Sequence, residues 1–266
     1  MLTIAIAIQK GGSGKTTTAI NLAAALQQRG QRVLLVDMDP QANLTHALGF
    51  IQEPERNMYH LLKQAADGDD VDVTAFLKIS ESGLMLIPSA LELASAEMEL
   101  VSVYGREHLL SGALSILRGS YDVVLIDCPP SIGLLTVNAL VASDAVLMPL
   151  QAEFLPLKGL RSFMRSFQTI KTRLNRRLEI MGIVLTRFDD RKDMNRRLLQ
   201  ELTDEFGEKV FKTRIRSNIA LAKAQERGQD IFSFDKKSNG AKDYAALADE
   251  VLARVGLEIR ELGIGD

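Results

Sequence analysis

The sequence predicts an α/β fold, a single domain built on a mostly parallel, twisted sheet with helices on both faces. Six apolar, β-branched runs recur along the 266 residues, at 2–8, 33–36, 84–87, 123–126, 146–150 and 180–185, and longer amphipathic stretches separate most of them. Parallel neighbours need a long crossover between them, so this alternation places helices against both sides of one sheet. A glycine-rich loop with two lysines follows the first run, and aspartates follow the second and fourth. Those are the carboxyl ends of strands, where an open α/β sheet holds its ligand. The length suits one large domain, and no Pro/Ser-rich linker divides it.

Residues 2–8 are continuously apolar and read as a buried strand. The loop after it runs Gln9-Lys10-Gly11-Gly12-Ser13-Gly14-Lys15-Thr16-Thr17, and a helical pattern begins at Thr16 with Ile20, Ala23, Ala24 and Leu26 on one side. Gly11, Gly12 and Gly14 let the backbone curl so that its N–H groups converge on phosphates, and the helix N-terminus adds a favourable dipole. Lys15 is placed to reach β- and γ-phosphates, and the Thr16 hydroxyl to ligate magnesium. Lys10 through Thr17 are therefore the candidate contacts for a nucleoside triphosphate such as ATP. The pattern GxxxxGK[ST] fails at its first glycine, where Gln9 stands, and carries an extra lysine at Lys10.

The second strand runs into Val36-Asp37-Met38-Asp39-Pro40-Gln41. Asp37 is expected near a magnesium shell, and the alternative use of both carboxylates is to cap the helix that follows. Residues 52–80 are acidic and weakly periodic, which suggests a peripheral helical region. The fourth run ends in Ile126-Asp127-Cys128-Pro129-Pro130. Four apolar residues deliver Asp127 to the strand end as a candidate magnesium ligand, acting through a water, and the two prolines stiffen the loop beyond it. Cys128 reads as a small packing residue, because no histidine lies nearby in sequence to activate it.

Residues 190–206 and 240–255 read as surface helices, the latter through Tyr244, Leu247, Ala248, Val251 and Leu252. The formal net charge of −2 conceals an asymmetry: residues 158–227 hold eighteen Lys/Arg against nine Asp/Glu, a balance of +9 that leaves −11 elsewhere. That third of the chain is the candidate surface for a polyanion. The sole cysteine excludes an intramolecular disulfide, and the three histidines lack ligand spacing. No secretory pattern opens the chain, and no run approaches the roughly 18 apolar residues of a membrane span. A cytoplasmic protein is expected.

The KGGSGKT loop directly after the first strand resembles that of the ParA/MinD family, P-loop NTPases of the deviant Walker A class. The likeness is closest to small ParA/Soj-type partitioning ATPases. It continues through the VLLVDMDPQ segment, the VVLIDCPPS segment similar to a Walker B, Pro149 to Phe154, Leu185 to Asp189, Ile215 to Asn218 and Asn239 to Tyr244. The resemblance implies that Asp39 orients the attacking water, that Asp127 holds magnesium, and that the strand end at 185–189 and the loop around residues 216–226 surround the adenine, with Thr186 and the Ala224-Gln225 region as its contacts. At Gln225 the family usually has a proline. The resemblance also implies that Lys10 crosses to a nucleotide held by a second subunit, so that ATP is part of a homodimer interface. Lys10, Lys15 and Asp39 are then the catalytic set.

On that footing the expected function is an ATPase, slow until a partner stimulates it. Its ATP dimer would bind nucleoid DNA non-specifically and position a cargo with the help of a ParB-like or cargo-adaptor protein. Arg191, Arg196, Arg197, Lys209, Lys212, Arg214 and Arg216 are the candidate contacts to double-stranded DNA, and a solvated basic face is the alternative. MinD-like membrane attachment is disfavoured because residues 258–266 are acidic and broken by glycines. One cysteine is too few for a metal-cluster carrier. A small-molecule amide ligase, or a nucleotide-switched interaction module without DNA binding, remains the other reading of the same fold. The start at the first strand suggests that no operator-binding domain precedes it.

Overall fold

Apolar runs become strands wherever both faces of the sheet are covered, as the computed structural model shows for residues 1–68, 71–152 and 156–257. The chain begins with β1 (Leu2–Ile6), turns through the glycine loop into α1 (Lys15–Gln27), and returns along β2 (Val33–Asp37) to a short α2 (Asn43–Ala47). Next come α3 (Met58–Asp67), the two-residue β3 (Lys78–Ile79), β4 (Met85–Ile87), α4 (Leu93–Glu99), α5 (Leu109–Ser115) and β5 (Val123–Asp127). The second half runs α6 (Leu134–Val141), β6 (Ala145–Gln151), α7 (Pro156–Arg173), β7 (Glu179–Phe188), α8 (Asp193–Phe206) and β8 (Val210–Arg216). It closes with α9 (Ile219–Glu226), α10 (Ile231–Asp235) and α11 (Asn239–Val255).

The eight strands lie in the order β3-β4-β2-β5-β1-β6-β7-β8. Among the described residues only β3 is antiparallel, against β4. Side chains alternate along each strand, so Ala5, Leu34, Val36, Val124 and Ile126 join a core with α3 to α8, whereas Ile4, Ile6, Leu35, Val123 and Leu125 join one with α1, α2, α9, α10 and α11. Every residue of β2 and β5 is buried, which explains why these central strands read as unbroken apolar runs. The α/β class, the parallel sheet and the two helical layers agree with the sequence reading.

Four local departures have physical causes. β1 stops at Ile6, because the Lys10 N–H turns back to the Ile8 carbonyl at 2.9 Å and starts the loop. Within residues 52–80 the α-helix is confined to Met58–Asp67, capped by Asn57, whose side chain accepts from the Tyr59 N–H, and ended at Gly68 in the left-handed region. α8 begins at Asp193, three residues after the expected start, because Asp189 closes a turn by accepting from the Arg191 N–H at 3.1 Å.

The last departure is β8, absent from the sequence reading. It is an edge strand rich in charge, and its outward N–H groups are satisfied by a helix rather than by another strand. Glu250 on α11 accepts from the Lys212 and Thr213 N–H groups, each at 2.9 Å, and Asp243 accepts from that of Arg216 at 2.9 Å. α11 itself falls where its periodicity places it, with Tyr244, Leu247, Ala248, Val251 and Leu252 buried. Glu153, Phe154 and residues 258–266, which bore on the resemblance and on membrane attachment, lie outside the described residues, as does the Lys158 side chain. Among the described residues no helix is long and apolar enough to cross a membrane.

Candidate nucleotide site

The loop between β1 and α1 owes its curl to two glycines in the left-handed region, Gly12 at φ 70° and Gly14 at φ 92°. A Cβ on Gly11 or Gly12 would meet nothing within 4 Å, so the cradle is open in front of them. Gly14 is also the N-cap of α1, and its carbonyl accepts the Thr18 N–H at 2.8 Å. Lys15 is buried and donates from Nζ to the Lys10 carbonyl at 3.0 Å. A phosphate arriving in the cradle offers that ammonium a charged acceptor, stronger than a neutral carbonyl. Burial lowers the Lys15 pKa, and the nearby Asp127, Cys128 and Asp39 oppose the shift.

β5 lies between β1 and β2 in the sheet, and this order brings the two aspartate-bearing strand ends to the loop. Asp37 and Asp127 are register partners. The Thr16 hydroxyl donates to Asp127 Oδ2 at 2.7 Å, while Asp127 Oδ1 is buried with no hydrogen-bond partner. Burial, then the charge of Asp37, pushes the Asp127 carboxyl well above the usual carboxylate range. Asp37 is fully buried and is raised to about 6, chiefly by desolvation.

Both Asp37 oxygens are engaged. Oδ1 accepts from the Asp39 N–H at 3.1 Å, and Oδ2 accepts from the Thr45 N–H and hydroxyl at 2.9 and 2.7 Å. Asp37 therefore holds the loop into α2, the capping use left open by the sequence. Asp39 is 7% exposed, and its Oδ1 accepts from the Gln41 N–H at 3.0 Å. Three carboxylates and one ammonium share this buried corner, an excess of negative charge that a divalent cation would balance. The unpartnered Asp127 oxygen and the oxygen-only donor set fit magnesium.

A cavity of about 350 Å³ opens beside the loop, lined by Gly14, Thr17, Thr186, Asn218, Gln225 and Tyr244 among others. Its walls are tied together: Thr186 Oγ1 donates to the Ser13 carbonyl at 2.8 Å, and Thr17 Oγ1 to Gln225 Oε1 at 3.4 Å. Arg187, at the rim, has φ 50°, a left-handed conformation uncommon for a residue with a side chain. The cavity is apolar enough for a base and carries a few fixed polar groups, the usual make-up of a cofactor pocket. The two residues assigned to the adenine by resemblance thus share one pocket with the loop.

Residues 1–180 match the family described as AAA domain. Over 252 residues the chain is 43% identical to sporulation initiation inhibitor protein Soj of Bacillus subtilis, covering 94% of this chain and 98% of that protein. The chain belongs to the ParA/Soj/MinD family of P-loop ATPases. Chromosome partitioning protein ParA of Caulobacter vibrioides is 42% identical over 254 residues, 94% of each chain. A solved structure described as cobyrinic acid a,c-diamide synthase from Mycobacterium smegmatis, with bound ADP and magnesium, is 36% identical with a TM-score of 0.82, covering 96% of each chain.

In this ParA-family chain the basic residues singled out from the sequence fall on α8, the turns before and after it, and β8, at one edge of the sheet. They are not equivalent. Arg191 pairs with Asp189 at 2.9 Å, Arg196 pairs with Asp193, and Arg216 pairs with Asp243 at 2.6 Å. Lys209 donates to the Ile180 carbonyl at 2.8 Å, and Arg214 stacks over Phe188 at 5.3 Å. Arg197 and Lys212 are exposed and have no ion pair among the described residues.

Thr45 and Tyr244 adjoin this site although the sequence reading gave them no role in it, whereas Asn218 lies in the loop around residues 216–226 that the resemblance puts about the adenine. Asn218 caps α9 by accepting from the Ala220 N–H at 2.8 Å, and an Asn directly before a helical run is a readable signal. Thr45 gives no such signal, because its partner lies eight residues back on a different element.

Proposed function

We propose that this chain is a ParA-type positioning ATPase of the cytoplasm. Its ATP-bound homodimer coats nucleoid DNA without sequence preference, a cargo-linked partner of the ParB type stimulates hydrolysis, and the ADP form releases the DNA. The observation that carries the nucleotide part is the pair Thr16–Asp127, bonded at one carboxylate oxygen and open at the other, at the rim of a glycine cradle. The similarity to Soj and ParA over nearly the whole chain supports the positioning part.

In this reading the Gly11–Thr17 backbone binds the phosphates, and Lys15 balances the charge of the transferring group. Thr16 and Asp127 hold magnesium, Asp127 through a water, with Asp37 behind them. Magnesium, when bound, neutralises charge on the β- and γ-phosphate oxygens. Asp39, at the mouth of the same corner, orients the attacking water for in-line displacement. Thr186 and Gln225 bound the base. Lys10 is half-buried at the start of the loop, and its carbonyl accepts from Lys15 Nζ. It reaches the nucleotide of a second subunit, making oligomeric state report nucleotide state.

DNA affinity then rises on dimerisation because two basic edges act on one polyanion. The amide-ligase reading draws on the Mycobacterium structure, which is less similar to this chain than Soj or ParA. Binding of double-stranded DNA with ATP, with ADP and without nucleotide, repeated over a range of salt, tests the proposal. ATP-dependent, salt-sensitive binding is expected, and binding indifferent to nucleotide overturns it.

A further inference from the structure

The loop that carries Asp37 and Asp39 and the loop that leaves Asp127 are fastened to opposite ends of one short segment. At its near end, Thr45 Oγ1 donates to Asp37 Oδ2 at 2.7 Å and accepts from the Ser89 N–H at 2.9 Å. Asp37 and Thr45 are fully buried, and Ser89 is 1% exposed. Ser89 follows β4, and a turn closed by the Leu93 N–H to Ala90 carbonyl bond at 3.0 Å carries the chain from it into α4.

At its far end, α4 presents Glu97 to the start of α6. The N-cap of α6 is Gly133, which has no side chain to satisfy the helix N–H groups. Glu97 Oε1 supplies the acceptor instead, 3.5 Å from the Leu135 N–H, and its negative charge suits the helix dipole. The fit is close enough that a Cβ on Gly133 would collide with that oxygen. α6 is reached from Asp127 through only a six-residue connection, residues 128–133. Between the two ends, Leu93 and Ala96 are buried in the same core as Cys128 and Leu135.

We propose that residues 89–97 form a brace that sets the position of one catalytic loop against the other, with Thr45 and Glu97 as positioning residues for hydrolysis. This rests on the reading of the chain as an ATPase. Thr45 acts through Asp37, whose other oxygen holds the Asp39 N–H. Glu97 acts through the N-terminus of α6. In-line attack is sensitive to this geometry, because misplacing a reacting group by about 1 Å costs on the order of 10²-fold in rate.

The test uses the full chain with Thr45→Ser, Thr45→Val, Glu97→Gln and Glu97→Ala. Hydrogen–deuterium exchange without nucleotide reads the brace directly. Thr45→Val is expected to speed exchange at residues 133–137 as well as at 38–45, and Glu97→Ala to speed it at 38–45 as well as at 133–137. Thr45→Ser and Glu97→Gln, which keep a hydroxyl and an amide acceptor, restore the wild-type pattern. In steady-state hydrolysis kcat falls about tenfold in Thr45→Val and Glu97→Ala while KM for ATP stays within about twofold. Exchange changes confined to the mutated end overturn the brace, as does an unchanged kcat beside an active wild type. Glu97 is half exposed, so its variants fold even where Thr45→Val does not. A wild type that hydrolyses no ATP refutes the ATPase reading, and the exchange pattern then still decides the brace.

Discussion

The Thr16 hydroxyl and Asp127 Oδ2 lie 2.7 Å apart, although 111 positions separate them in the chain. β5 runs parallel beside β1, so the strand that delivers Asp127 ends level with the loop that delivers Thr16. Backbone packing thereby brings the Thr16 hydroxyl and the Asp127 carboxylate together.

Replacing Asp127 by Asn keeps an oxygen for Thr16 and removes one of two adjacent buried carboxylates. The nucleotide-free protein is expected to gain about 1 kcal/mol of stability, the scale of one pKa unit, because a desolvated carboxyl, and with it the like charge beside Asp37, is gone. The further stabilisation that magnesium adds to bound nucleotide should disappear. Urea titrations with and without Mg-ADP read both effects, and a less stable, magnesium-responsive variant contradicts the assignment.

The two lysines of the loop should separate in experiment. Lys15→Ala is expected to weaken ATP binding by about 1.5–3 kcal/mol, the range for a hydrogen bond to a charged group. In the free protein the Lys15 ammonium bonds the Lys10 carbonyl and lies near Asp127 and Asp39. Lys10→Ala should bind ATP like wild type yet remain monomeric with it. Calorimetry and light scattering on the same preparations distinguish the two.

Along the basic edge, the residues without ion pairs are expected to carry most of the DNA affinity. Substituting Arg197 and Lys212 by Ala should lower the log–log salt slope by about 0.9 for each phosphate left without its cation, with stability unchanged. Arg216→Ala behaves differently, since it strips a partner from Asp243, whose side chain is 9% exposed. A drop of about 1 kcal/mol in stability should accompany any weakening of DNA binding there. Equal effects of all three on the salt slope at constant stability would show that pairing is irrelevant to DNA binding.

Cys128 is 1% exposed, and burial followed by the charge of Asp127 pushes its thiol well above the usual range. Thiolate is the reactive form, so the native protein should resist alkylation through about pH 9 and be modified rapidly in urea. Mass spectrometry of iodoacetamide-treated samples across pH gives the result. Prompt labelling of the native state would show a more open β5 end.

Legibility from sequence tracked burial. β2 and β5 are apolar at every position up to their aspartates because neighbours cover both faces, and a run of that kind is visible without context. β8 was hidden because it is an edge strand whose N–H groups are taken up by Asp243 and Glu250, residues 27 to 38 positions later on α11. Its lysines and arginines read as surface charge, which they are, but not as strand. Asp37 read as a carboxylate near a metal. Its bonds to Thr45 and Asp39 also make it the anchor of the loop, a use that residue type does not announce.

The glycine loop of the candidate site is written in nine consecutive residues, because backbone curvature, glycine freedom and the helix N-terminus are local properties. The cavity beside it is of another kind. Thr17 and Gln225 meet across 208 positions, and Ser13 and Thr186 across 173, and only the strand order brings them to one wall. The brace from Thr45 to Glu97 belongs with the cavity: its hydrogen bonds join residues whose spacing carries no period, and they exist because β4 and β5 flank β2 in the folded sheet.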